Sequence, residues 1–332
     1  MQPVRWGILS TSSFAESRFL PGLRKSPLID VAAVASRDVA RAAEFAARNQ
    51  IPTAYGSYEE LLADPTIEVI YNPLPNDLHV EWTRRAALAG KHVMCEKPMG
   101  MNATELDVLL PLAGQVHIAE AFMVRFHPQW IETRDAVRSG SLGRVSHMHV
   151  AFSYNNTDAA NIRNIAANGG GAMYDIGCYA VVAARWFMEA DPQRVAAVID
   201  RDPTFGTDRL TSALLDFGDG RTCTMSVSTQ AVYHQRVHVY GTDARLEITI
   251  PFNQLQDSPM VYLTHRGESV DGLDAVRHEV AMNDQYASQG AAFSMRVRHE
   301  QPTDGPLRDA MVNMRTIDAI FRSARSNRFE TV

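Results

Sequence analysis

Three short stretches of this 332-residue chain bring together side chains that can hold a charge beside a movable proton. Cys95-Glu96-Lys97-Pro98 closes an apolar run, which would put Lys97 at the carboxyl edge of a strand as a catalytic cation. Taken alone, a surface ion pair with Glu96 is the better explanation. Asn168-Gly169-Gly170-Gly171-Ala172-Met173-Tyr174-Asp175-Ile176-Gly177-Cys178-Tyr179 is a glycine turn leading into a helix. Asp175 and Tyr179 are then i and i+4 on one helix face. Leu74-Pro75-Asn76-Asp77-Leu78-His79 follows another apolar run, and His79 at the helix start reads first as structural.

A fourth stretch could cradle phosphate. Val4–Leu9 runs into Ser10-Thr11-Ser12-Ser13-Phe14-Ala15, where a dinucleotide fingerprint G-x-G-x-x-G/A would have Ser10, Ser12 and Ala15 at its three positions. Serine hydroxyls can donate to phosphate oxygens, and the helix N-terminus adds free N–H groups and partial positive charge. A plain capped turn, with Ser12 or Ser13 as N-cap, is an equal alternative. The second strand ends in Ser36-Arg37, where an NAD site would have an acid for the ribose hydroxyl. Arg37 can pair with a 2′-phosphate and Ser36 can hydrogen-bond it, which favours NADP, with NAD as the alternative. Asp38 is either a helix cap or an acidic deterrent to that phosphate.

The elements that must position these residues alternate. Val4–Leu9, Asp30–Ala35, Val69–Tyr71, His92–Cys95 and Val116–Ala119 read as strands. Phe14–Leu20, Val39–Asn49, Tyr58–Ala63, Leu78–Ala89 and Ala103–Leu110 read as helices, the first ended or kinked by Pro21 or Gly22. Short continuous strands between helices predict a doubly wound parallel sheet, an α/β domain over residues 1–120. Residues 121–332 read differently. Longer alternating strands (Val145–Tyr154, Leu210–Phe217, Thr222–Gln230, Arg236–Tyr240, Arg245–Ile250) surround a helix at Ala172–Ala190, with a hairpin turn at Phe217-Gly218-Asp219-Gly220. Helices at Asp284–Arg298 and Leu307–Ser323 follow, with the terminal helix able to pack back on the first domain. The expected second domain is α+β, with an open, mostly antiparallel sheet.

Composition excludes several classes. With 45% hydrophobic and 21% charged residues the chain can bury a core. Its 32 Lys+Arg against 38 Asp+Glu give a net charge of −6, which argues against broad nucleic-acid binding. No apolar run approaches the ~20 residues that span a bilayer, and Trp6–Leu9 is too short for a signal-peptide core. Cys95, Cys178 and Cys223 form no disulfide framework and fit a reducing cytoplasm. No zinc-ligand spacing occurs, so no metal is expected.

E-K-P after a Rossmann strand, followed by D-x-G-x-Y, resembles the glucose–fructose oxidoreductase/inositol dehydrogenase family. The likeness extends to Ser36-Arg37-Asp38, Leu74-Pro75-Asn76 with His79, Gly90-Lys91-His92-Val93, Glu120-Ala121-Phe122-Met123, His127-Pro128-Gln129 and Gly241-Thr242. It is nearest to the subgroup of dimeric dihydrodiol dehydrogenases and NADP-dependent xylose dehydrogenases, which use tyrosine where inositol dehydrogenases use histidine. The resemblance implies an NADP-dependent oxidoreductase acting on a sugar or cyclic diol. Lys97 would touch the reacting oxygen and the nicotinamide ribose, Tyr179 would exchange the hydroxyl proton, and Asp175 would orient substrate. Cofactor contacts are implied for Ser10, Thr11, Ser12, Ser13, Phe14, Ser36, Arg37, Leu74, Pro75, Asn76, His79, Glu96, Lys97 and Arg125. Tyr154, Asn155, Asn161 and Arg163 are assigned to the sugar site, an exposed loop being the equal alternative for the last three. A homodimer or homotetramer through the open sheet is also implied. Two other readings of the resemblance are a non-catalytic nucleotide-sensing regulator and a glycosidase that oxidises transiently with NAD; Arg37 disfavours the second.

Overall fold

The computed structural model describes residues 2–267 and 272–332. The chain forms two compact units, one of Met1–Met123 with Asp284–Met311 and the other of Val124–Asn283 with Val312–Val332. Each has its own sheet.

The first unit holds strands β1 (Val4–Leu9), β2 (Ile29–Ala35), β3 (Thr53–Tyr55), β4 (Val69–Asn72), β5 (His92–Cys95) and β6 (Ile118–Glu120). They lie in the order β3-β2-β1-β4-β5-β6, and every pair is parallel. This is the doubly wound order of dinucleotide-binding sheets, and ligands bind outside its strand carboxyl ends. Helices cover both faces, so the central strands are apolar without alternation: Trp6, Ile8 and Leu9 are fully buried. Burial of each such side chain stabilises the fold by about 1.5–3 kcal/mol. The helix Val39–Arg48 buries Ala42, Phe45 and Ala46, a single stripe at i, i+3 and i+4. Helix Gln285–His299 also belongs here; Trp6 Nε1 donates to Ser294 Oγ at 3.1 Å and the Trp6 ring meets Phe293 edge-on at 5.7 Å.

Three local expectations change. β3 is an added edge strand of three residues, too short to show a pattern. Ala103–Leu109 is 3₁₀ rather than α-helical and is capped by Asn102, whose side chain accepts from the Glu105 N–H. The first helix is not ended by Pro21 or Gly22 but runs over residues 13–23, with a π-type turn at Ala15–Phe19 just ahead of Pro21. Such a turn shifts the hydrogen-bond register where Pro21 has no N–H to give.

The second unit is built on β7 (His147–Asn155), β8 (Arg194–Arg201), β9 (Asp208–Gly218), β10 (Arg221–Ser228), β11 (Gln230–Tyr240), β12 (Arg245–Ile248), β13 (Met260–His265), β14 (Val276–Val280) and β15 (Glu330–Thr331). The order is β14-β13-β12-β11-β7-β10-β9-β8-β15. β7–β10 is a parallel pair and the other pairs are antiparallel. The strands alternate: Met148, Val150 and Phe152 are buried while His149 is exposed. The helix Cys178–Met188 covers the buried face and is apolar almost all round, with Val181, Val182 and Phe187 buried.

Candidate active site

The first unit carries the phosphate-type loop. Ser10 follows β1 with φ +70°, the left-handed conformation a fingerprint glycine would adopt. The loop therefore keeps a glycine shape on a serine, at a cost of about 1–2 kcal/mol. Thr11, Ser12 and Phe14 are half-buried and Ser13 is exposed at the helix start. Ser12 Oγ accepts from the Ala15 N–H at 3.4 Å, so it is the cap. The Phe14 ring meets Tyr286 edge-on at 5.9 Å.

At the end of β2, Ser36 is buried and Arg37 exposed. Asp38 caps the following helix, its Oδ1 accepting from Ala40 at 2.9 Å and Arg41 at 3.2 Å. Its carboxylate is thus committed to backbone donors.

Beyond β4, Leu74 is buried, Pro75 half-buried, and Asn76 begins a short 3₁₀ turn. His79 is fully enclosed, with Nδ1 2.7 Å from the Pro98 carbonyl and Nε2 2.7 Å from the Leu74 carbonyl. Burial, aided by the charge of the nearby Lys97, drives its pKa down to about 4. The neutral ring has one N–H and donates to one carbonyl at a time. His79 is thus a strut between the Leu74-Pro75-Asn76 loop and the Lys97-Pro98 loop. Glu96 Oε1 accepts from the Tyr71 hydroxyl at 2.7 Å, and Lys97 itself is half-buried at the carboxyl end of β5. The Lys97–Pro98 peptide is cis.

In the second unit the glycine run has a packing role that its sequence did not reveal. The Gly171 N–H donates to the Arg163 carbonyl at 2.8 Å, and Gly171 has φ +117°. A β-carbon on Gly170 would stand 2.5 Å from the same carbonyl oxygen, and one on Gly171 would stand 2.0 Å from Asp208 Oδ1. Only glycine lets the segment carrying Arg163 lie this close to the helix start. The chain then makes a second π-type turn at Met173–Gly177, followed by the α-helix from Cys178. Asp175 lies in the π turn and Tyr179 one residue into the α-helix, so the expected uniform helix is widened at the motif. π-type turns are frequent at functional positions.

Asp175 is held from two sides. Arg163 Nε donates to Oδ1 at 3.0 Å, and the Tyr154 hydroxyl donates to Oδ2 at 2.5 Å. Burial and the Asp175 charge push the Tyr154 pKa well above the phenol range, so Tyr154 stays a donor. The Asp175 charge also raises the Arg163 pKa, and Arg163 lies within electrostatic reach of Tyr179. The buried Tyr179 ring sits 6.1 Å from Phe152 and 5.6 Å from Phe252. Asn161 Oδ1 accepts from the Arg163 N–H at 3.0 Å and caps the short turn that presents Arg163. Asn155 is exposed at the end of β7. The Arg125 guanidinium lies over Trp186 at 5.9 Å.

Sequence reasoning missed two supporting residues. Asn164 is buried, and its Nδ2 donates to the Asp158 carbonyl at 2.8 Å, tying down the Arg163 segment. Asp208, at the start of β9, accepts from the Met173 N–H at 2.7 Å and the Thr211 hydroxyl at 3.0 Å. Burial pushes its pKa up to about 6. The Met173 partner of Asp208, 35 residues away along the chain, is visible only in three dimensions. No group of three or more His, Cys, Asp or Glu able to hold a metal occurs among the described residues. Nor is any described helix long and apolar enough to cross a membrane.

Residues 4–121 match the oxidoreductase family described as having an NAD-binding Rossmann fold, and residues 130–247 match the GFO/IDH/MocA C-terminal domain. The chain is 37% identical to a D-xylose 1-dehydrogenase (NADP(+)) of Haloferax volcanii, over 97% of this chain and 98% of that protein. It is 34% identical to the trans-1,2-dihydrobenzene-1,2-diol dehydrogenase of Bos taurus, over 75% of each. Among solved structures it is similar to a 3-ketoreductase from Actinomadura kijaniata in complex with NADP and TDP-benzene, with TM-score 0.90, 30% identity and coverage of 97% and 98%. A strand-ordered dinucleotide sheet, a separate mostly antiparallel sheet and these matches over most of the chain have one meaning: the chain belongs to the GFO/IDH/MocA family of oxidoreductases and carries its NAD(P)-binding Rossmann domain.

Proposed function

We propose that the chain is an NADP-dependent dehydrogenase or reductase acting on a hydroxyl or carbonyl carbon of a sugar or cyclic diol, with Lys97 and Tyr179 as its acid/base pair. The single observation that carries the reading is the clamped Tyr154–Asp175–Arg163 cluster beside Tyr179. It fixes Asp175 beside Tyr179 and leaves Tyr154 as a permanent donor. A lysine cation close by favours loss of a phenol's proton, which would suit Tyr179 for taking a hydroxyl proton and returning it. Lys97 supplies the cation that polarises the reacting oxygen, and Asp175 orients substrate.

The residues fit a dinucleotide. Ser10 keeps the glycine-shaped turn and the helix beginning at residue 13 offers its N-terminal N–H groups to pyrophosphate. Arg37 is exposed where the 2′-phosphate would lie, and Asp38, bound to Ala40 and Arg41, does not compete for a ribose hydroxyl. Leu74, Pro75 and Asn76 would line the cofactor beside Thr11, Ser12, Ser13, Phe14 and Ser36, with Glu96 and Arg125 completing the set. When bound, the nicotinamide supplies hydride chemistry at C4. The similar xylose and dihydrodiol dehydrogenases support a sugar or diol substrate.

Assembly as a homodimer or homotetramer through the open sheet face, where Val198 and Leu210 are exposed, completes the reading, as does residence in a reducing cytoplasm for three buried cysteines that form no disulfide. The test is absorbance at the reduced-nicotinamide band with NADP or NAD against a panel of aldoses, polyols and diols. Turnover preferring NADP is expected. Tight NADP binding without turnover on any substrate would move the assignment to a nucleotide-sensing regulator.

A further inference from the structure

Arg163 is fixed at one end and open at the other. Its Nε donates to Asp175, its backbone N–H to Asn161, and its carbonyl accepts from Gly171. Its two terminal amino groups donate to none of the described residues, and its side chain is 39% exposed. Asp175, its anchor, is 13% exposed and held on the far oxygen by Tyr154. The rotamer freedom of this arginine is therefore lost on folding rather than on binding, which preorganises the two free donors.

The chemistry of those donors selects a ligand. A guanidinium presents its N–H groups in one plane, matched to two neighbouring oxygens. The positive charge is already balanced by Asp175 in direct contact, so a bound anion would meet a neutral pair and the repulsion of a carboxylate. Hydroxyl oxygens carry no such penalty and accept readily. Resting on the oxidoreductase reading above, we propose that Arg163 determines substrate specificity: its terminal amino groups receive two adjacent hydroxyl oxygens of an uncharged sugar, selecting vicinal diols over deoxy and anionic analogues.

The test is a coupling experiment on the full-length protein. NADP-linked turnover is measured for wild type and Arg163→Met with D-xylose, its monodeoxy analogues, D-glucose and D-glucuronate. In wild type, removing one of the recognised hydroxyls is expected to lower kcat/KM by about tenfold or more, mostly through KM. In Arg163→Met the parent sugar should fall to that level, with no further loss for the deoxy analogue. Equal losses for the parent and every analogue would overturn the proposal, as would a wild-type preference for glucuronate over glucose. Because Arg163→Met strips Asp175 of its ion pair, Arg163→Lys serves as the second variant; it keeps a cation for Asp175 but not the two-pronged donor, so the same coupling is expected. Should wild type turn over no sugar, the activity reading fails and the coupling is read instead from sugar binding to the NADPH complex by nucleotide fluorescence. Hydroxyl-dependent affinity that Arg163→Met abolishes upholds Arg163, and hydroxyl-independent binding overturns it.

Discussion

Gly170 lies against the carbonyl of Arg163, so close that a β-carbon there would stand 2.5 Å from the oxygen. The neighbour is backbone and cannot swing aside. Gly170→Ala is therefore expected to push the Arg163 segment off the helix start and to cost about 1–3 kcal/mol, as overpacking does. Urea denaturation gives the loss. Sugar KM should rise more than NADP KM; an equal rise in both would mean the segment does not serve the substrate side.

Ser10 predicts the opposite sign. A serine at φ +70° pays for a conformation that glycine adopts freely. Ser10→Gly is expected to stabilise the protein by up to about 1 kcal/mol, the strain relief exceeding the added flexibility of the unfolded chain. A thermal melt checks it. A lower melting temperature would show that the Ser10 side chain holds something that glycine cannot replace.

Arg37→Asp exchanges a cation for an acid at the carboxyl end of β2. Asp38 is already bound to Ala40 and Arg41 and leaves the new acid free to meet a ribose hydroxyl. Loss of one charge-assisted bond should weaken NADP by roughly tenfold or more, with NAD gaining relative to it. The ratio of kcat/KM for the two nucleotides is the readout. If it does not move, the 2′-phosphate is held elsewhere.

Much of this was readable beforehand, and the reasons are physical. β1, β2, β4 and β5 are continuous apolar runs bounded by polar turns, so the parallel sheet and the position of Lys97 at a strand end followed from local pattern. β3 escaped notice because three residues cannot show a period. The π turns at Ala15–Phe19 and Met173–Gly177 escaped notice because apolar spacing does not distinguish them from α turns. The glycines at 170 and 171 stood out, but their reason did not. Arg163 O and Asp208 Oδ1 are the atoms that forbid a side chain there, and Asp208 is 37 residues from Gly171 along the chain. Asp38 had two readings, and only its bonds to Ala40 and Arg41 decided between them.

Lys97→Ala should abolish turnover while leaving NADP binding partly intact, since the loop and Arg37 contribute independently of that amine. The Lys97 loop keeps its shape through His79 and the Pro98 carbonyl. Nucleotide titration by fluorescence alongside a turnover assay separates the two effects. Retained activity would sink the assignment of Lys97 as the catalytic cation.

Asp208 gives the pH dependence. Its carboxylate is 2% exposed and caps the turn that carries Asp175, through the Met173 N–H at 2.7 Å. Burial outweighs those hydrogen bonds and raises its pKa from 3.8 to about 6. A carboxyl whose folded pKa is raised favours folding while protonated. Its contribution is fully present below about pH 4 and is lost as pH rises through about 6. A shift of roughly two units corresponds to about 3 kcal/mol across that window. Asp208→Asn keeps an acceptor for Met173 and Thr211 but cannot ionise. Its unfolding free energy, measured in urea from pH 4.5 to 7.5, should therefore fall less steeply with rising pH than that of wild type. Parallel slopes for the two proteins would show that Asp208 is ionised throughout and that its hydrogen bonds, not burial, set its charge.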